Sequence, residues 1–157
     1  MILMTLLAAA GLVGQPAPTF TLPDDRGGEV KLLAYKGKQA VILAFFPKAF
    51  TSGCEKEMIT FGKDKKKFDA LGAQILGISY DDSKKQHEFA VHCAADFPFL
   101  SDDGKVAKLY GDEKAMVGFK YAGRRTVVID KAGLVRFVYD GMPDNAKILA
   151  DLKTLKK

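Results

Sequence analysis

The sequence predicts an α/β domain built on a mixed, partly parallel sheet. Three observations carry this expectation. Residues 39–46, 74–79 and 125–129 are nearly continuous apolar runs, the pattern of strands covered on both faces. A long stretch with apolar residues at helical spacing separates the first two runs, as a crossover between parallel strands requires. The third run turns at Lys131-Ala132-Gly133 into another strand-like segment and then a helix, which adds antiparallel strands. A chain of 157 residues, 48% apolar and 27% charged, suits one globular domain and excludes a disordered one.

The elements follow in order. Gln15-Pro16-Ala17-Pro18 is an extended approach, because proline fixes its own φ and pushes the preceding residue toward β. Residues 19–22 and 29–32 alternate around a Gly27-Gly28 turn and read as a small hairpin. Pro47 ends the run at 39–46. Thr51 or Ser52 then caps a helix carrying Met58, Ile59, Phe61, Phe68 and Leu71, with Glu55 and Glu57 early and Lys63 to Lys67 late, as the helix dipole favours. After the strand at 74–79, Asp81-Asp82-Ser83 starts a second helix expected to carry Phe89 and Cys93. Short elements follow: a strand at 97–100, a turn at 102–104 and a helix at 106–109. Strands at 125–129 and 134–139 and an amphipathic helix at 145–155 close the chain. This order fits a thioredoxin-like fold with flanking helices and an N-terminal β-hairpin extension.

Residues 1–12 form an uncharged apolar segment ahead of a domain expected over 13–157. A dozen apolar residues cannot span a bilayer, which needs about 20, so no membrane span is expected. Two readings of the segment remain open. It is a packed first element, with the protein cytoplasmic, or a remnant of a secretory signal, with the protein periplasmic or secreted. Lys and Arg exceed Asp and Glu by 24 − 19, or +5. The lysine runs late in helices read as solvated faces, and no basic patch interleaved with aromatics suggests nucleic-acid binding.

The two cysteines, Cys54 and Cys93, exclude a disulfide-stapled miniprotein and a four-cysteine zinc module. His87 and His92 lie near Cys93, but His92 and Cys93 are adjacent and diverge on a helix, so no metal site is expected. Cys54 follows a buried strand where the chain enters a helix. Unpaired first-turn N–H groups and the positive end of the dipole favour a charged, nucleophilic sulfur there. Thr51 is placed to bring a hydroxyl beside it and Pro47 to roof the pocket.

Residues 47–54, Pro-Lys-Ala-Phe-Thr-Ser-Gly-Cys, match Pro-x-x-x-Thr-x-x-Cys. In this motif the chain resembles the peroxiredoxins (the alkyl hydroperoxide reductase C / thiol-specific antioxidant family). Glu57 three residues after the cysteine, the segment Arg124-Arg125-Thr126-Val127-Val128-Ile129-Asp130 and the opening Val13-Gly14-Gln15-Pro16-Ala17-Pro18-Thr19-Phe20 agree. Phe97-Pro98-Phe99-Leu100-Ser101-Asp102 and the compact C-terminus are most similar to the peroxiredoxin Q / bacterioferritin comigratory protein group. The resemblance implies a thiol peroxidase without cofactor. Cys54 attacks the peroxide, Pro47 and Thr51 shape the pocket, Arg124 stabilises charge, and Glu57 supports the site. Arg124 rather than Arg125 takes the arginine role, because the family places it six residues before the aspartate, here Asp130.

The resemblance also implies resolution of the Cys54 sulfenic acid. Many of the group carry the resolving cysteine five residues on, where this chain has Ile59. Cys93 is the remaining thiol and is expected to close an intramolecular disulfide that thioredoxin or a similar thiol reduces. The alternatives are a one-cysteine peroxidase with an external thiol and a non-catalytic thioredoxin-fold binding protein. A monomer is expected, with a dimer as the alternative, and Phe50 as core, pocket wall or subunit contact.

Overall fold

The structure is a computed structural model and describes residues 11–156. Most of the apolar segment expected at 1–12, residues 1–10, lies outside the described residues. A central five-stranded sheet has the order β5-β4-β3-β8-β9. Its strands are β3 (Ala40–Phe45), β4 (Ala73–Ser79), β5 (Phe99–Ser101), β8 (Arg125–Ile129) and β9 (Val135–Asp140). β3, β4 and β5 run parallel, whereas β8 is antiparallel to both β3 and β9. Two hairpins stand apart from it: β1 (Thr21–Pro23) with β2 (Glu29–Lys31), and β6 (Glu113–Met116) with β7 (Phe119–Ala122). The helices are α1 (Ser52–Ala70), α2 (Ser83–His92), α3 (Lys105–Leu109) and α4 (Asn145–Thr154).

Successive side chains of a strand point to opposite faces, and β3 uses this to build two cores. Ile42 and Ala44 join Met58, Phe61 and Phe68 of α1, Phe89 of α2, and Ile148 and Leu152 of α4. Val41, Leu43 and Phe45 join Leu22 and Val30 of the first hairpin, Val106 of α3 and Tyr110. All five β3 residues from Val41 to Phe45 are buried, which is why this run carries no polar alternation. Asp82 and Asp144 cap α2 and α4, accepting from the Lys85 and Lys147 N–H groups. Gly62 allows the turn after α2 to approach α1: a Cβ there would lie 2.9 Å from the Ala94 carbonyl oxygen.

The sheet, the flanking helices and the N-terminal hairpin agree with the sequence-based expectation. Two details differ. α2 ends at His92, so Cys93 is the residue that follows the helix rather than a member of it. The hairpin β6–β7 was not expected. Residues 114–120 are all exposed, so no face is buried and no period-2 pattern arises to announce a strand. Among the described residues, no helix is long and apolar enough to cross a membrane.

Candidate active site

β3 delivers the chain to the site. Beyond Phe45 the backbone passes Pro47, turns at Phe50 and enters α1 after Thr51. Asp81, just after β4, holds this turn. Its carboxylate accepts the Ala49 N–H at 2.8 Å and the Ser79 hydroxyl at 2.6 Å. Sequence reasoning read Asp81 only as a helix start; Asp82 does the capping, which frees Asp81 for the turn. Phe50 sits in the left-handed region at φ +66°, a conformation costing roughly 1–2 kcal/mol for a residue with a Cβ. Its ring packs on Phe89 and His92, with centroids 5.2 and 5.5 Å away. It thus walls the turn while remaining 43% exposed.

Cys54 lies in the first turn of α1 and is fully buried. Arg124 reaches it from the link between β7 and β8, its Nη2 donating to Cys54 Sγ at 3.4 Å. Its Nη1 donates to Glu57 Oε2 at 2.5 Å. Glu57 lies three residues after Cys54, so both side chains share one face of α1, and one guanidinium spans them. Arg125 instead pairs with Asp140 at 2.7 Å and donates to the Tyr110 carbonyl. Consecutive residues diverge at the start of a strand, and this separates the two arginines. The Thr51 hydroxyl donates to the Lys48 carbonyl at 2.7 Å and makes no cap hydrogen bond to α1. Pro47 lines a cleft facing the β6–β7 hairpin.

Gly53 has a role that its sequence context did not disclose. A Cβ there would lie 2.9 Å from Arg124 Nη2, so the absence of a side chain is what lets the guanidinium reach the sulfur. The only sequence signal was a glycine inside the first turn of a helix, where it is otherwise unfavourable. Met142 closes the same spot, its Cε 3.9 Å from that Cβ position.

Burial dominates the electrostatics of the carboxylate. Glu57 is pushed up to about 7 by desolvation, and the charge and hydrogen bond of Arg124 offset only part of that. Its Oε1 is buried and has no hydrogen-bond partner among the described residues. Burial pulls Arg124 down, but Glu57 and Cys54 more than offset it and hold the guanidinium charged. A carboxyl raised in the fold favours the folded state most where both states are protonated. Stability from Glu57 is therefore complete below about pH 4.5 and is lost as pH rises through about 7. Glu57→Gln should flatten that part of the stability curve, as urea titrations from pH 4.5 to 8 would show.

Cys93 is buried, with its Sγ 4.0 Å from the carbonyl oxygen of Glu55, the residue after Cys54. Burial pushes its thiol up to about 11, with Glu55 and Cys54 adding to the shift. No disulfide joins the two cysteines. His92 pairs with Glu55 at 3.1 Å, and His87 lies 3.6 Å from Asp25.

Residues 13–138 match the AhpC/TSA family. The chain belongs to that family. Among AhpC/TSA relatives, peroxiredoxin Q, chloroplastic, of Arabidopsis thaliana is 41% identical over 145 residues, covering 91% of this chain and 66% of that protein. The rice (Oryza sativa subsp. japonica) protein of the same name is 39% identical over 128 residues, covering 81% of this chain. The aligned stretch spans 58% of the rice protein's length. The solved structure of peroxidoxin BcpB from Mycobacterium tuberculosis superposes with a TM-score of 0.85 at 33% identity, over 92% of this chain and 98% of that one. Peroxiredoxin Q from Xanthomonas campestris superposes at 0.78 and 29% identity, over 88% and 92%. The AhpC/TSA fold in these structures is the mixed sheet with flanking helices described above.

Proposed function

We propose that this chain is a thiol-dependent peroxidase that reduces hydrogen peroxide and organic hydroperoxides through Cys54. The observation that carries the reading is the Arg124 guanidinium, 3.4 Å from the Cys54 sulfur and held by buried Glu57. Membership of the AhpC/TSA family and the peroxiredoxin Q names of its relatives support it.

The chemistry needs few groups. The Cys54 thiolate attacks one peroxide oxygen in line with the O–O bond. An S–O bond forms as the O–O bond breaks. The sulfur is oxidised to a sulfenic acid, and the departing oxygen takes a proton and leaves as water or an alcohol. Arg124 and the N-terminus of α1 face the charge that builds on the departing oxygen, and preorganised donors of this kind commonly supply the largest share of the rate. The Cys54 N–H and the Thr51 hydroxyl orient the peroxide. To do so, Thr51 turns its oxygen toward the substrate while its proton stays on the Lys48 carbonyl.

Resolution falls to Cys93. Its thiolate attacks the Cys54 sulfenic sulfur, expels water and leaves a disulfide, which thioredoxin or a similar dithiol then reduces. The sulfur lies beside the carbonyl of the residue next to Cys54, at the end of a helix whose last turn can open without loss of the sheet. The buried thiol is protonated at neutral pH, so that opening precedes attack. The test is the mass of the product after one equivalent of peroxide. Loss of two hydrogens is expected for the wild type, and gain of one oxygen for Cys93→Ser. A wild-type product that gains one oxygen would instead mean a one-cysteine peroxidase with an external thiol. A chain that takes up no oxidising equivalent would be the non-catalytic binding protein.

Gly53→Ala tests the guanidinium contact with little disturbance elsewhere. The new methyl meets the flexible end of Arg124 and a methionine tip. Stability should hold, while the rate of Cys54 oxidation should fall on the order of ten- to a hundredfold, as misplacement by about 1 Å does elsewhere. Stopped-flow kinetics with hydrogen peroxide would read it.

A further inference from the structure

We propose that the β6–β7 hairpin docks the protein on an anionic lipid surface. This rests on the hairpin and the cleft beside it and is independent of the peroxidase reading. The tip, Met116-Val117-Gly118-Phe119, is a two-residue turn between the paired Met116 and Phe119, with Gly118 at φ +90°. Val117 is fully exposed, and Met116 and Phe119 are more than half exposed. Three apolar side chains at one protruding tip are costly in water and mark an interaction site.

The flanks indicate the chemistry of the partner. Lys114 and Lys120 bracket the tip, and exposed Lys48 lies across the neighbouring cleft. Lys48 is exposed beside the cleft, whereas Lys114 extends toward Asp112 and acts on the carboxylates of Asp112 and Asp140 without closing an ion pair. Glu113, on the same hairpin, accepts the Tyr80 hydroxyl at 2.7 Å and faces Lys108 and Lys120 at 3.7 Å each, and Asp81 in the cleft is occupied by the Ala49 N–H and the Ser79 hydroxyl. An apolar wedge ringed by lysines suits a bilayer interface. The wedge enters the acyl boundary, and the ammonium groups remain among anionic headgroups. The same ring repels a second copy of this basic chain. A cleft of about 470 Å³ lined by Pro47, Tyr80, Met116 and Phe119 lies between the hairpin and the turn that leads to Cys54. Docking would therefore set that turn against the membrane.

The experiment is flotation of the full chain with vesicles of phosphatidylcholine, alone or with one third phosphatidylserine, at low and physiological salt. Binding is expected to the anionic vesicles and to weaken with salt. Val117→Asp should reduce it at least about tenfold, by placing a charge where the wedge enters. Lys114→Gln with Lys120→Gln should reduce it by about thirtyfold at low salt, from the usual contribution of a lysine near an anionic surface. Lys63→Gln with Lys66→Gln on α1 removes the same charge elsewhere and should leave most of the binding. Absence of binding, indifference to Val117→Asp, or equal loss in the α1 control would overturn the proposal. So would a dimer, or a complex with a protein thiol reductant, that Val117→Asp breaks while vesicles bind neither protein.

Discussion

Cys54→Ser should abolish peroxide consumption, with at least about a thousandfold loss in the rate constant for reaction with hydrogen peroxide. A serine hydroxyl beside Arg124 remains protonated and is a weak nucleophile without an adjacent base. Among the described residues Cys54 Sγ has a hydrogen-bond partner only in Arg124, a donor that cannot serve as that base, and the Glu57 carboxylate is engaged by the same guanidinium. The fold should tolerate the change. The oxygen is smaller than sulfur, and Nη2 can still donate to it, so melting temperatures of variant and wild type should lie within a few degrees. Competition kinetics against a reporter peroxidase would measure the loss. Retention of the wild-type rate would remove Cys54 from the chemistry and transfer attention to Cys93.

Arg124→Met should reduce the same rate constant by about 10²- to 10³-fold, the usual effect of deleting one preorganised charge stabiliser. It should also act on stability in a pH-dependent way. Deleting one member of a buried ion pair costs roughly 3–5 kcal/mol where the other stays charged, and Glu57 is fully buried. Glu57 escapes that cost by binding a proton, which its upward shift to about 7 makes easy below neutrality. Urea denaturation should therefore show a large loss at pH 8 and a smaller one at pH 5. Adding Glu57→Gln to Arg124→Met should recover stability at pH 8 and leave the rate low. Such a split separates the arginine's chemical part from its structural one, because a merely structural residue would regain rate and stability together.

The sheet was legible because its inner strands are covered on both faces. Burial of this kind writes an unbroken apolar run into residues 41–45 and 75–78. The hairpin β6–β7 was not, because residues 114–120 are exposed on both faces and leave no period-2 pattern. Cys54, Pro47 and Thr51 were legible as a contiguous motif, and Arg124 through its fixed distance from Asp130. Contacts between distant segments left no such trace: Asp81 on the Ala49 amide, Gly53 beneath the guanidinium and Met142 over the same spot.

By itself, the sequence determined the order of the sheet strands and main helices and the cysteine at the head of a helix, through local spacing and periodicity, and its motif at 47–54 carried the family resemblance. Tertiary structure alone decided what each arginine holds: Arg124 spans Cys54 and Glu57, whereas Arg125 takes Asp140 and the Tyr110 carbonyl. It alone buried Glu57 and so set its proton affinity, because desolvation arises only when α1 packs on the sheet. It also carried Cys93 from 39 positions away to the carbonyl beside Cys54, a proximity that closure of the fold creates and no stretch of chain records.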